Sequence, residues 1–256
     1  MSAIKIHKPE DIGRMRIAGQ LAADVLAFAG KHVAEGITTG ELDVLCNEFI
    51  IAHGAVSATL GYNGFPGAIC TSVNNVVCHG IPGSYRLKSG DIVNIDITVN
   101  VDGWHGDTSK TFMVGQCTKL AKILVDVAEQ AMYTGIDAVK PYGYFGDIGV
   151  AIQKFVDRHG FSIVRSYCGH GIGREFHGEP MVLHYDSHEP GLQILPGMFF
   201  TVEPMINAGF YKTKVMKDGW TVVTADKSLS AQFEHTVAVT ENSVEIMTGS
   251  SQWMQV

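Results

Sequence analysis

The chain has 256 residues, enough for one large domain or two tightly joined halves, and either could bury a substantial core. Hydrophobic residues make up 46% of it and charged residues only 18%, a balance that excludes a disordered polyelectrolyte. Nineteen Lys and Arg stand against 26 Asp and Glu, a net charge of −7 without any basic cluster, which argues against nucleic-acid and anionic-membrane partners.

The N-terminus, Met1-Ser2-Ala3-Ile4-Lys5, leads into charged residues rather than a signal-peptide core, and no apolar run approaches the roughly 18 residues that span a bilayer. The expected location is the cytoplasm. After Pro9, the apolar residues Ile12, Met15, Ala18, Ala22, Val25, Ala29 and Val33 recur every three or four positions, predicting an amphipathic helix that ends near Gly36. Thr38-x-x-Glu41 is a capping box for a second helix, which buries Leu42, Leu45, Cys46, Phe49 and Ile50 and ends at Gly54. Strand-like runs occupy 55–114, two further helices fit 119–139 and 146–159, and strand-like runs return over 161–247. Helices, strands, helices and strands in that order predict an α+β protein. The whole of 1–256 reads as a single domain whose related halves, about 1–117 and 118–256, meet at one sheet. Cys46, Cys70, Cys78, Cys117 and Cys168 are odd in number and form no C-x-x-C pair, so they are expected to be reduced and mostly buried.

The chemistry concentrates in the strands. Val93, Ile95, Ile97, Val99 and Val101 alternate with Asn94, Asp96, Thr98 and Asn100, predicting a half-buried strand with Asp96 on its polar face. Asp102-Gly103 then reads as a two-residue hairpin loop, which pairs Val101 with Trp104 and Thr98 with Asp107. Asp96 and Asp107 become diagonal neighbours whose Cβ atoms lie about 7 to 8 Å apart, near enough to share a cation. Isolated acids on a strand are ordinary surface groups, so the pair alone decides little. Glu203 and Glu234, however, each sit inside an apolar, β-prone run, 198–204 and 232–239, without a Lys or Arg in either segment. A buried carboxylate without a counter-charge neutralises, and a bound metal supplies that charge economically. His170 lies between glycines in Cys168-Gly169-His170-Gly171, where an uncrowded backbone lets the imidazole reach a cleft. Asp96, Asp107, His170, Glu203 and Glu234 form an oxygen-rich set suited to Mn(II), Fe(II), Co(II) or Mg(II) rather than structural zinc.

Five segments in this order, Asn94-Ile95-Asp96, His105-Gly106-Asp107-Thr108, Cys168 to Gly173, Phe200 to Pro204 and Gln232 to Thr236, resemble those of type I methionine aminopeptidases of the bacterial kind. The resemblance runs from the N-terminal helix to about Met247. It implies the pita-bread fold, with two pseudo-symmetric α+β halves around an antiparallel sheet that holds a dinuclear metal centre. It implies removal of the initiator methionine from nascent proteins, with a small second residue preferred, by attack of a metal-bridging hydroxide on the scissile carbonyl. Asp107 and Glu234 are then expected to bridge two divalent ions, Co(II), Mn(II) or Fe(II), with Asp96 on one and His170 and Glu203 on the other. His79 and His177 match the family's two non-ligand histidines, which contact the scissile amide and the developing oxyanion, with Glu203 as the proton shuttle. Thr59, Tyr62, Phe65, Cys70, Phe176 and Trp220, together with both histidines, match the substrate pocket, whose aromatic and sulfur-bearing walls suit a thioether. The resemblance further implies a Na+ or K+ site on the carbonyls of Asn74, Val76 and Ser230, and a monomer acting on nascent N-termini at the ribosome. Thr59 stands where Cys is usual, and Pro141-Tyr142-Gly143-Tyr144-Phe145 departs from the usual Pro-Gly start of its helix.

The rival readings are an X-Pro peptidase of the same fold and a non-catalytic binding protein on the same scaffold. X-Pro peptidases usually carry an additional N-terminal domain, whereas about 90 residues precede the metal strand here. The intact ligand set argues against the second. A type II methionine aminopeptidase would need an inserted helical subdomain, and the 31 residues from Glu203 to Glu234 leave no room for one.

Overall fold

The computed structural model describes residues 4–249. Among these, four α-helices form, and each begins where the free N–H groups of a first turn are met or made unnecessary. In α1 (Pro9–His32) Pro9 occupies the start, where no N–H is needed, and the Asp11 carboxylate accepts from the Lys8 N–H at 3.1 Å. The box read from the sequence opens α2 (Thr39–Ala52): the Glu41 N–H donates to Thr38 Oγ1 at 3.1 Å and the Thr38 N–H to Glu41 Oε2 at 2.7 Å. Thr118 Oγ1 accepts from the Ala121 N–H at the head of α3 (Lys119–Ala138), and Asp147 accepts from the Tyr144 N–H at the head of α4 (Phe145–Asp157). Helix α1 stops four residues before Gly36, because Val33 turns extended and its N–H already caps Ala29 O.

The unusual run before α4 carries a specific local cost. Tyr142 adopts φ 67°, the left-handed region that a glycine would occupy freely. Three hydrogen bonds hold it there: its N–H donates to Ile194 O and its hydroxyl to Glu241 Oε2, both at 2.8 Å, and its carbonyl accepts from Gln193 Nε2 at 3.0 Å. Helix α4 forms regardless, so the departure stays confined to this turn.

Between α2 and α3 run β1 (Val56–Ser57), β2 (Cys70–Val73), β3 (Val76–Cys78), β4 (Ile92–Val101) and β5 (Trp104–Met113). After α4 come β6 (Ser162–Ile163), β7 (Gly169–Gly171), β8 (Gly178–Val182), β9 (Phe199–Val202), β10 (Met205–Asn207), β11 (Thr213–Val215), β12 (Val222–Thr224), β13 (Ser230–Gln232), β14 (Glu234–Val239) and β15 (Val244–Ile246). The main sheet is antiparallel in the order β1-β4-β5-β14-β9-β7-β8, with β2 added to β4 and β15 to β14. It brings strands of the first and second halves side by side at β5 and β14, which is the pita-bread arrangement. Val25 and Leu26 of α1, Leu124 and Met132 of α3 and Ile148 of α4 form one continuous core with Ile95, Ile97, Phe200 and Val237 of the sheet. The opposite face of β4 and β5 carries Asn94, Asp96, Thr98, Asp107 and Ser109.

Two strand expectations change. The alternation in β4 predicted one solvated face, yet Asn94 and Thr98 are 3% and 2% exposed: Gln232 O of β13 accepts from Asn94 Nδ2 at 2.9 Å, and Thr98 Oγ1 donates to Asp107 at 2.8 Å. His170 lies within a strand, β7, rather than in a loop, while only Ser162–Ile163 of the run before it pairs. Cys46, Cys70, Cys78 and Cys117 are buried and Cys168 is half-buried, all reduced.

Gly106 sets the spacing between α1 and the hairpin that carries Asp107. A Cβ there would overlap the carbonyl of Ala18 on α1, which is backbone and has nowhere to yield. Gly106→Ala is therefore expected to destabilise the protein by about 1–3 kcal/mol. Urea unfolding would register this as a lower midpoint at unchanged slope.

Candidate metal centre

Strand register alone assembles the acids. Ser109 of β5 stands opposite Asp96 of β4 on one side and opposite Glu234 of β14 on the other. Two residues along the same face of β5, Asp107 stands opposite Thr98, as the Asp102-Gly103 turn dictates. Both turn residues have positive φ, 50° and 80°, the conformation that a tight hairpin requires. Thr201 of β9 faces Thr236 of β14, Glu203 directly follows β9, and the His170 N–H of β7 donates to Thr201 Oγ1 at 3.0 Å. Single oxygen or nitrogen atoms of Asp107, His170 and Glu234 lie within 4.8 Å of one another. His170 Nε2 is 3.6 Å from both Asp107 Oδ2 and Glu203 Oε1.

Hydrogen bonds aim these groups. His170 Nδ1 lies 3.1 Å from Gly171 O, which places the proton on Nδ1 and turns the Nε2 lone pair toward the acids. Thr98 Oγ1 donates to Asp107 Oδ1 at 2.8 Å, and Thr201 Oγ1 to Glu203 Oε1 at 2.8 Å. Gln232 Nε2 donates to Glu203 Oε2 at 3.2 Å, while the Glu203 N–H donates to Nε2 of the buried His184 at 3.1 Å. The roles of Thr201, Gln232 and His184 are not apparent from the sequence motifs. Thr201 had a signal, since it lies two residues from Glu203 on one strand face, whereas His184 is brought in by tertiary folding alone.

The electrostatics suit a bound cation. Burial pushes Asp96 up to about 7 and Glu203 up to about 8, while Asp107 and Glu234 rise well above the usual carboxylate range through burial and mutual repulsion. Burial lowers His170 to about 4, keeping its imidazole neutral. Among the described residues no Lys or Arg lines the cavity, and Asp96 Oδ1 is buried without a hydrogen-bond partner. Four carboxylates and one neutral imidazole fit divalent ions with a taste for oxygen.

This cluster forms one wall of a cavity of about 370 Å³ that also contains Thr59, Tyr62, Phe65, Cys70, His79, Phe176, His177 and Trp220. All eight pocket expectations therefore fall in one place. Asn63, Ser166, Tyr167, Cys168 and Met205 join them without having been foreseen. Phe65 meets Trp220 edge to face at 5.2 Å, and Thr59 is 8% exposed. His79 has φ 55°, a strained position for a non-glycine residue, and stands edge-on to Tyr167 at 5.6 Å. His177 Nδ1 is 2.9 Å from the Tyr62 hydroxyl, and its ring lies 4.3 Å from that of His170. Burial lowers the pKa of His79, and burial followed by His170 lowers that of His177, so both are neutral at physiological pH. Elsewhere, Asn74 O accepts from the Ser230 N–H at 2.9 Å, and Ser230 Oγ is buried without a partner among the described residues.

A curled antiparallel sheet with buried carboxylates and an imidazole at its centre defines a metallohydrolase. Residues 13–241 match the model of metallopeptidase family M24, and the chain belongs to that family. The methionine aminopeptidase of Escherichia coli strain K12 is 56% identical over 248 residues, covering 96% of this chain and 94% of the relative. The crystal structure of methionine aminopeptidase from Rickettsia prowazekii superimposes with a TM-score of 0.95 at 54% identity, covering 96% of this chain and all of that one. That of Thermotoga maritima matches with a TM-score of 0.94 at 36% identity, covering 97% and 100%.

Proposed function

We propose that the protein is a methionyl aminopeptidase that removes the initiator methionine from nascent polypeptides whose second residue is small. The observation that carries this reading is that the five-donor cluster and the aromatic pocket are walls of a single cavity. Asp96, Asp107, His170, Glu203 and Glu234 would hold two divalent ions, Co(II), Mn(II) or Fe(II). Such ions supply Lewis acidity, which polarises the scissile carbonyl and makes hydroxide available near neutral pH.

The protein's own groups do the rest. His177 Nδ1 lies 2.9 Å from the Tyr62 hydroxyl, and with the Tyr62 O–H as hydrogen-bond donor the His177 Nε2–H is left to donate to the oxygen that becomes negative as the carbonyl carbon turns tetrahedral. His79 contacts the scissile amide, and Glu203 takes a proton from water and delivers it to the leaving amine. The methionine thioether is received by Tyr62, Phe65, Cys70, Phe176 and Trp220, with Thr59 adding a hydroxyl to the wall. The carbonyls of Asn74, Val76 and Ser230 are the proposed holders of a Na+ or K+ ion. Residues 1–117 and 118–256 are read as the two halves of one catalytic domain. Among the described residues no helix is long and apolar enough to cross a membrane. The proposed setting is a cytoplasmic monomer that meets its substrates at the ribosome.

The test is to strip the protein of metal and assay cleavage of Met-Ala-Ser and of an Ala-Pro peptide while titrating Mn(II), Co(II) and Fe(II). Metal-dependent release of methionine alone is the expected result. Preference for the X-Pro bond would move the assignment to the prolidase branch, and silence on both peptides to a binding role.

A further inference from the structure

We propose that His105, oriented by Asn100, is a positioning residue for His177; the inference rests on the catalytic reading of His177 given above. The side-chain orientations are fixed by a chain of donors. The Gly103 N–H donates to Asn100 Oδ1 at 2.9 Å, so the Asn100 amide nitrogen is the end that faces His105 Nε2, at 3.0 Å. Because Asn100 Nδ2 is a donor, His105 Nε2 accepts and the ring proton resides on Nδ1. That proton goes to Gly173 O, 2.9 Å away, and the backbone N–H of His105 donates to the same oxygen at 2.9 Å. Arg174 adds a third tie by donating to Asp102 O at 2.8 Å.

Gly173 begins the segment that carries His177. Farther along it, the Phe176 ring lies nearly parallel to His105, with centroids 5.9 Å apart and planes 10° from one another. Phe176 also stacks on His177 itself, with centroids at 4.0 Å and planes at 24°, and meets the rings of Tyr62 and His170 at 4.8 and 6.2 Å. The hairpin turn is thus linked through Asn100, His105 and Phe176 to an imidazole 4.3 Å from His170. Asn100 and His105 meet because they are directly opposed in the β4–β5 register, so the turn that aligns Asp107 also sets this tether. A reacting group that drifts by about 1 Å loses on the order of 100-fold in rate, which makes such a tether consequential.

His105→Leu removes both the donor and the ring, whereas His105→Asn returns a donor near the place of Nδ1. In the metal-loaded enzyme, His105→Leu should lower kcat on Met-Ala-Ser by about 10- to 100-fold at unchanged metal content, with His105→Asn recovering much of the loss. The penalty should largely disappear when His177→Ala is already present; penalties that simply multiply would overturn the proposal. Amide hydrogen exchange over residues 173–177 supplies a readout that needs no turnover. Faster exchange in His105→Leu than in His105→Asn is expected, and identical protection in both would also overturn it. A wild-type protein inert toward Met-Ala-Ser would sink the aminopeptidase reading instead, while the exchange comparison would still decide the tether.

Discussion

A Glu203→Gln variant will keep its fold and lose on the order of 10²- to 10⁴-fold in kcat on Met-Ala-Ser. Glutamine preserves the shape of the side chain, and the Thr201 hydroxyl that donates to Glu203 Oε1 can donate equally to an amide oxygen. The other carboxylate oxygen now accepts from Gln232 Nε2. Gln232 Oε1 is buried without a partner among the described residues, so turning that amide over offers an acceptor to the new NH₂ group. The substitution therefore breaks no packing. What it removes is one negative donor and the only atom pair assigned to carry the proton from water to the leaving amine. Steady-state kinetics, circular dichroism and metal analysis on one preparation would check this. Turnover within about tenfold of wild type would remove Glu203 from both proposed roles, because a general acid–base group is worth more than that.

Local rules made much of this legible in the sequence. The Asp102-Gly103 turn fixed which residues of β4 and β5 oppose one another, and with them the relation of Asp96 to Asp107. Alternation named the faces of β4, and the embedded acids of two apolar runs identified Glu203 and Glu234. What stayed hidden depends on contacts between distant segments. The polar face of β4 looked solvated because nothing in its own sequence indicates that Gln232 of β13 will meet Asn94. His184 looked like any histidine until folding brought it to the Glu203 N–H, 19 residues away in the chain. Tyr142 was visible as a departure, but only the backbone gave the reason, a left-handed turn held by Gln193, Ile194 and Glu241. The aromatic pocket was legible solely through resemblance, since aromatics at irregular spacing also make ordinary cores.

Metal-stripped protein will become less stable as the pH rises from 6.5 to 8.5, and metal-loaded protein will not. In the unfolded chain Asp titrates near 3.9 and Glu near 4.3, both about. In the folded protein burial holds protons on Asp96 up to about 7 and on Glu203 up to about 8, with Asp107 and Glu234 also raised. The native state therefore binds more protons than the unfolded state across this window, and that sign makes stability fall as pH increases. The favourable contribution is fully present below the unfolded values and is lost as pH passes through the folded ones. The buried neutral histidines, His170 lowered to about 4 and His184 and His235 to about 3, work in the opposite direction, but only below their ordinary value of 6.5. Starting at pH 6.5 keeps the two effects apart. Each extra native proton costs about 1.4 kcal/mol per pH unit, which for a chain of this size lowers Tm by on the order of 10 °C across the window. Divalent ions replace those protons as the counter-charge, so their addition should flatten the curve as well as raise it. Thermal melts in matched buffers with and without Mn(II) separate the alternatives: parallel curves would mean that the four acids are balanced by something other than a cation.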